Sequence, residues 1–421
     1  MASREVDVLL IGGGVASAAC AEALREGGFA GSILLVGREL DPPYHRPPVS
    51  KGHLTGEESV EDTLFHPAAW WGEHDVELLV RTSVTKLDTD ARVAVLSTKD
   101  EVAYGQALIA TGANVRRLPV DGSDLDGIHY LRALRNASQL REDVLAHERV
   151  VIVGGSYIGT EVAASLTKLG KRCAIVMQED VVHERGFGAA AGAYFQGVLE
   201  AHGVEVHGGE ALARFEGSDG RVERVVCESG LTLDAGAVVL GVGAVPDVML
   251  ARGAGLTLAQ DGGVECDSAL RTSAPGVFAA GDVCSYDSVV HGRRLRVEHW
   301  DVAVQQGKAV ARAMLAVAGS GSGSGSGAPQ PYDVVPYFFS DLADWTGLEY
   351  VGPAASWDAE AVRGSLADGD FTTFYLEDGA VVAALTVGRS DDLDHARRLI
   401  ATRAAVDAAA LADESIALST L

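Results

Sequence analysis

No two of the five cysteines (Cys20, Cys173, Cys227, Cys266 and Cys284) stand close enough in the chain for a CxxC or CxxxxC pair. That spacing excludes a local thiol–disulfide relay and a zinc knuckle. The twelve histidines form no HExxH or similar spacing, so no metal site is expected. No apolar run reaches the roughly eighteen residues that a membrane-spanning helix needs. Positive charge is scarce: 34 Lys and Arg stand against 59 Asp and Glu, a formal net charge of −25. Nucleic acid and anionic membrane surfaces call for clustered Lys and Arg, so neither is an expected partner. The opening MASREVDVLLIGGG has no basic region followed by an apolar core and a cleavage site. No secretory signal is expected, and a cytoplasmic location is.

What remains is an ordinary globular composition, 47 % hydrophobic and 22 % charged over 421 residues, long enough for two or three domains. Two stretches share one pattern of strand, glycine turn, helix and strand. In the first, 8-VLLI-11 reads as a buried parallel strand and Gly12, Gly13 and Gly14 as a tight turn. An alanine-rich helix follows over 15–27, then the strand 33-ILLV-36. Bare glycines let the backbone approach a pyrophosphate, and the helix N-terminus turns partial positive charge toward it. Beyond the second strand stand Arg38 and Glu39, and Glu39 supplies a carboxylate for ribose hydroxyls. Ser17 takes the third glycine position and is small enough for close helix packing.

In the second stretch 150-VVIV-153 leads to Gly154, Gly155 and Gly159, with Ser156 in the middle glycine position and Tyr157 and Ile158 opening the helix. The Ser156 Cβ is expected to push a pyrophosphate slightly outward. The strand 173-CAIV-176 is followed by Glu179, the carboxylate expected at an adenine ribose. No arginine sits directly at this strand end to grip a 2′-phosphate, Arg185 being several residues on, so NADH is expected over NADPH. A flavin enzyme that takes hydride from a nicotinamide needs one cradle for each dinucleotide. Two further segments assign the flavin to the first. Ala110, Thr111 and Gly112 follow an apolar strand, and 272-TSAPGVFAAGDVC-284 ends a strand in Gly281-Asp282, where a carboxylate can hold ribityl hydroxyls.

The order of these segments resembles the FAD-dependent pyridine-nucleotide reductases, in the branch of oxygenase-type ferredoxin reductases and apoptosis-inducing-factor-like flavoproteins. The most specific marker is 42-PPYHRPPVSKGHL-54, similar to the family's PYxRPPLSKxxL. Others are 151-VIVGGSYIGTEVA-163, 238-VVLGVGAVPD-247, 275-PGVFAAGD-282, 297-VEHWDVAVQQG-307 and 336-PYFFSDLADWTGLEYVG-352.

The resemblance implies roles at matching positions. Arg46 contacts the FAD phosphate or ribose region. Lys51 lies beside the isoalloxazine, and Glu161 pairs with it and faces the nicotinamide. A buried ammonium needs such a partner, and its charge stabilises a reduced anionic flavin. Asp282 holds the ribityl chain, Val84 offers its backbone to the adenine, Gly243 lies along the nicotinamide, and Trp300 sits near the flavin pyrimidine. Trp70 and Trp71 read as packing. Two departures stand out: Phe339 replaces the family's tryptophan near the exposed flavin edge, and Asp247 replaces an asparagine on the nicotinamide side.

The implied fold is α/β, with two Rossmann-like dinucleotide-binding domains (glutathione-reductase-like) and a small C-terminal α+β domain. The expected division is an FAD domain over 1–120 and 245–318, an NAD(P)H domain over 121–244, a Gly/Ser linker over 319–327 and the C-terminal domain over 328–421. Within the last, 371-FTTFYLEDGAVVAALTVG-388 alternates like a hairpin turning at Asp378-Gly379, and 392–412 reads as a final helix. The implied reaction takes hydride from NADH to FAD and passes electrons to a ferredoxin or other small iron–sulfur protein. Arg293, Arg294 and Arg296, or Arg116 and Arg117, are the candidate docking charges, on a monomer or homodimer. The alternatives are a redox-gated NADH-binding module of the apoptosis-inducing-factor type and a quinone or dioxygen reductase.

Overall fold

The computed structural model describes residues 4–319 and 329–421. From residue 320 onward the expected Gly/Ser linker lies outside the described residues. Contacts divide the chain into two compact units. The first comprises Met1–His45, Thr63–Asn114 and Val245–Tyr337; the second comprises Arg46–Asp62, Val115–Ala244 and Phe338–Leu421.

In the first unit, strands buried on both faces read as unbroken apolar runs. Arg4–Ile11 pairs in parallel with Ile33–Val36 on one side and Glu101–Ile109 on the other. Val76–Leu79 extends the sheet beyond Ile33–Val36. Val277–Ala279 adds to Glu101–Ile109 in parallel, and Val93–Leu96 with Val84–Asp88 continues it antiparallel. Helices Val15–Glu26 and Trp300–Gly319 pack against each other beside this sheet. Trp71 is buried in the same core, with Trp70 packed against it.

The second unit holds a five-stranded parallel sheet in the order Glu205–His207, Arg172–Val176, Arg149–Val153, Ala237–Leu240, Ile128–Tyr130. Its carboxyl edge carries the second glycine turn. A separate five-stranded sheet is built from Tyr337–Leu342, Thr346–Val351, Ala380–Val387, Asp370–Glu377 and Ala359–Ser365. Asp378 and Gly379 both have positive φ, 51° and 76°, as a two-residue type I′ turn requires, and Glu377 pairs with Ala380 across it. The Tyr375 hydroxyl donates to the Phe187 carbonyl at 2.9 Å, tying this sheet to the helix Glu184–Ala201.

The helix expected over 392–412 is two helices, Asp392–Thr402 and Ala408–Ala412. Arg403 takes a left-handed conformation (φ 51°) that ends the first. Val406 then donates its N–H to the Gly379 carbonyl at 2.9 Å, and the Asp407 carboxylate caps the second by accepting from the Ala409 N–H at 3.0 Å. No helix among the described residues is long and apolar enough to cross a membrane, and no group of three or more His, Cys, Asp or Glu among them suits a metal ion.

Candidate functional site

The first cradle is set by Gly12. Its φ of 124° and the 2.1 Å between an added Cβ and the Ala110 carbonyl oxygen leave no room for any other residue. Gly14 differs: an added Cβ meets no atom within 4 Å, so the space above it is open. Gly14 is also the N-cap of Val15–Glu26, a helix start with no side-chain cap and no acid in its first turn. Its terminal N–H groups therefore face an opening that a phosphate fits. Glu39 accepts from the Tyr44 hydroxyl at 2.6 Å. The Thr111 hydroxyl donates to the Asp247 carbonyl at 2.7 Å and the Asp247 N–H to the Gly112 carbonyl at 2.8 Å, locking the turn after Ala110. The Asp247 carboxylate is paired with Arg38 at 2.9 Å. Gly281 (φ 76°) donates to the Gln306 side chain at 2.8 Å and opens a short 3-10 turn that carries Asp282. Val84 begins an edge strand with a register shift before Lys86. Trp300 lies 5.4 Å from the His45 ring, and its indole N–H is buried with no acceptor among the described residues. An open glycine cradle, an uncapped helix start and an orphaned donor fit a bound dinucleotide such as FAD.

The second cradle repeats the device. Gly154 (φ 111°) stands where an added Cβ would lie 2.3 Å from the Gly241 carbonyl oxygen. Ser156 caps Tyr157–Lys168 by backbone position only, and its hydroxyl reaches the Gly241 carbonyl at 3.5 Å. A cavity of about 720 Å³ opens here, lined by Gly154, Gly155, Tyr157, Glu179, Arg185 and Gly243 among others. Ile158 is exposed. Glu179 does stand at the strand end, but Arg185 is paired with its carboxylate. The expectation that no arginine reaches this point is therefore corrected. The chain turns back at His183, whose φ of 59° is left-handed, and brings Arg185 beside Glu179.

Within this second unit Lys51 and Glu161 meet at 3.4 Å. Glu161 is buried; one carboxylate oxygen accepts from the Ser50 hydroxyl and the other from the Ser340 hydroxyl, each at 2.5 Å. Ser165 donates to the Ser50 carbonyl at 2.7 Å, fixing the serine that fixes the acid. Lys51 reaches a second carboxylate, Asp341, at 2.8 Å, and lies 5.0 Å from the ring centre of Phe339. Arg46 donates to the Arg132 carbonyl. Sequence reasoning missed Ser50, Ser340 and Asp341, although all three stand inside the quoted motifs. Their signal was a hydroxyl or acid flanking an expected site residue.

Apart from Arg116, the candidate docking arginines are engaged in place. Arg294 pairs with Asp287 at 2.8 Å, Arg296 with Glu298 at 2.5 Å, and Arg117 lies 5.0 Å from the Tyr130 ring centre. Arg116 instead lines the cavity of the second cradle. All five cysteines are buried and unpaired. Burial pushes Cys173 and Cys227 up to about 11, Cys20 higher still and Cys284 well above its ordinary value, which suppresses the thiolate that disulfide exchange requires.

Two glycine cradles on parallel sheets define a two-dinucleotide oxidoreductase, and comparison with known proteins gives the family. Residues 6–307 match the model of the pyridine nucleotide-disulphide oxidoreductases and residues 337–421 that of the reductase C-terminal domain. The chain belongs to the pyridine nucleotide-disulphide oxidoreductase family. It is 37 % identical to the ferredoxin reductase component of chlorobenzene dioxygenase from Cupriavidus sp., covering 98 % of this chain and 97 % of that protein. It is 32 % identical to a ferredoxin–NAD(P)(+) reductase of Sphingomonas sp., over 97 % of this chain and 95 % of that one. Among solved structures it superposes on the covalent putidaredoxin reductase–putidaredoxin complex with a TM-score of 0.90, at 32 % identity, covering 100 % of this chain and 98 % of the other.

Proposed function

We propose that this protein is a ferredoxin reductase: it takes hydride from NADH on FAD and passes electrons to a small iron–sulfur protein. The observation that carries the reading is the pairing of two glycine cradles with relatives that are ferredoxin reductases over nearly their whole length. When bound, FAD supplies the step from two-electron to one-electron chemistry. Gly12, Gly14, Glu39, Arg46, Val84, Ala110, Thr111, Gly112, Gly281, Asp282 and Trp300 are the proposed FAD residues. Gly154, Gly155, Tyr157, Ile158, Gly159, Glu179 and Gly243 are proposed for the nicotinamide dinucleotide.

Lys51 and Glu161 are the proposed catalytic pair. The serine hydroxyls on both Glu161 oxygens hold it in one orientation. That fixed carboxylate directs the Lys51 ammonium, a ready counter-charge where negative charge develops. The proposed domain division remains 1–120 with 245–318 for FAD, 121–244 for NAD(P)H and 328–421 for the C-terminal domain. A cytoplasmic site of action is supported by five cysteines with no disulfide among them.

The test is NADH-dependent reduction of a purified ferredoxin, followed with NADPH in parallel. Rapid turnover with NADH supports the reading. Flavin reduction with no electron transfer to any iron–sulfur acceptor would contradict it.

A further inference from the structure

We propose that Arg116 is the counter-charge for the pyrophosphate of the bound nicotinamide dinucleotide. This deepens the nicotinamide side of the reading above and rests on it. The cavity of the second cradle is lined by two arginines, Arg116 and Arg185, against three carboxylates, Glu179, Glu184 and Glu210. Every one of these except Arg116 is engaged within the fold. Arg185 is paired with Glu179. Glu184 accepts from the Asp180 N–H at 2.9 Å, and Glu210 from the Ser229 hydroxyl at 2.6 Å. The Arg116 guanidinium has no hydrogen bond or ion pair among the described residues.

Its position is nonetheless fixed. The Arg116 N–H donates to the Gly243 carbonyl at 2.9 Å, and its Nε lies 3.9 Å from where a Cβ on Gly243 would stand. The same loop runs through Gly241, whose carbonyl packs against the Gly154 turn at the start of helix Tyr157–Lys168. The guanidinium therefore lines the glycine cradle from the loop side. Arg117, next in sequence, turns instead to the Tyr130 ring.

The charge balance gives Arg116 its task. A pyrophosphate brings two negative charges into a cavity where carboxylates already outnumber cations. The helix start offers only about half a positive charge. A guanidinium with five donors and no internal partner matches what a pyrophosphate lacks here.

The experiment compares wild type with Arg116→Gln and Arg116→Lys, using ferricyanide as electron acceptor so that no protein partner enters. For Arg116→Gln the KM for NADH and the inhibition constant of ADP-ribose are expected to rise together by about 10- to 100-fold, as loss of a charged hydrogen bond implies. The rise falls on KM far more than on kcat, and flavin content is unchanged. Arg116→Lys recovers part of the affinity, and the glutamine variant shows a weaker dependence of KM on salt. Unchanged KM and unchanged ADP-ribose inhibition would overturn the proposal. A raised KM for ferredoxin alone would assign Arg116 to partner docking and overturn it equally. Should wild type bind ADP-ribose yet never oxidise NADH, the reductase reading falls, and calorimetric ADP-ribose affinity of the two variants decides Arg116 by itself.

Discussion

Gly12 and Gly14 stand two residues apart in one turn, yet their replacement has different consequences. An alanine at 12 drives its Cβ into the Ala110 carbonyl oxygen, while a side chain at 14 enters open space. Gly14 also has extended backbone angles that any residue adopts (φ −94°, ψ 178°). Gly14→Val is therefore expected to fold with a native circular-dichroism spectrum and to lack flavin absorbance. Full flavin content in that variant removes the first cradle from the account. Glu161→Gln keeps the shape and removes the charge. It should slow flavin reduction by NADH on the order of tenfold or more while leaving FAD bound, and an unchanged rate in stopped flow would exclude Glu161 from the chemistry. The quoted motifs made Glu161 and Lys51 visible in the sequence. The serines and Asp341 that surround them were not, because their importance lies in contacts across 111 to 290 residues. Arg185 was misjudged for the same reason: distance along the chain does not register a backbone reversal at His183.

His183 carries a pH effect at this scale. Burial lowers its folded-state value from 6.5 to about 3, with the ring against the Thr160 hydroxyl at 3.1 Å. Below pH 6.5 the unfolded chain takes up a proton that the folded chain refuses. Stability from this group is thus full above 6.5 and falls as pH drops toward 3, by up to about 1.4 kcal/mol per pH unit. His299, lowered by burial to about 4 against the opposing pull of Asp282, adds to the fall. Thermal unfolding between pH 4 and pH 7 checks this, since His183→Leu should show a shallower decline than wild type.

At the scale of elements, the parallel strands and the Asp378-Gly379 hairpin were legible from apolar runs and turn chemistry. The break near residue 403 was not, since nothing in an alanine-rich stretch marks a left-handed arginine. What holds the chain beyond that break is Arg363. It is 6 % exposed and donates to the carbonyls of Leu411, Asp413 and Ile416 at 3.2, 2.8 and 3.1 Å. Arg363→Leu removes the buried guanidinium and leaves these carbonyls, that of Leu411 buried, without their donor, and is expected to cost about 3 kcal/mol or more. Chemical denaturation measures it, and a loss below about 0.5 kcal/mol would show that water replaces the guanidinium.

At the scale of the whole molecule, the chain pairs a net charge of −25 with two cradles for anionic dinucleotides. Local devices answer that charge: glycine turns, uncapped helix starts and individual cations such as Lys51. The two cradles and the reductase-like order of motifs were readable from the sequence. Which charges serve the dinucleotide and which are engaged within the fold was not, because ion pairing depends on tertiary neighbours. The most direct measurement is an anaerobic two-step stopped-flow experiment with NADH first and oxidised ferredoxin second. The account predicts rapid bleaching of the flavin by NADH and prompt recovery as ferredoxin is reduced. Bleaching with a persistent long-wavelength band and no recovery, or no flavin spectrum after FAD is added, would contradict it.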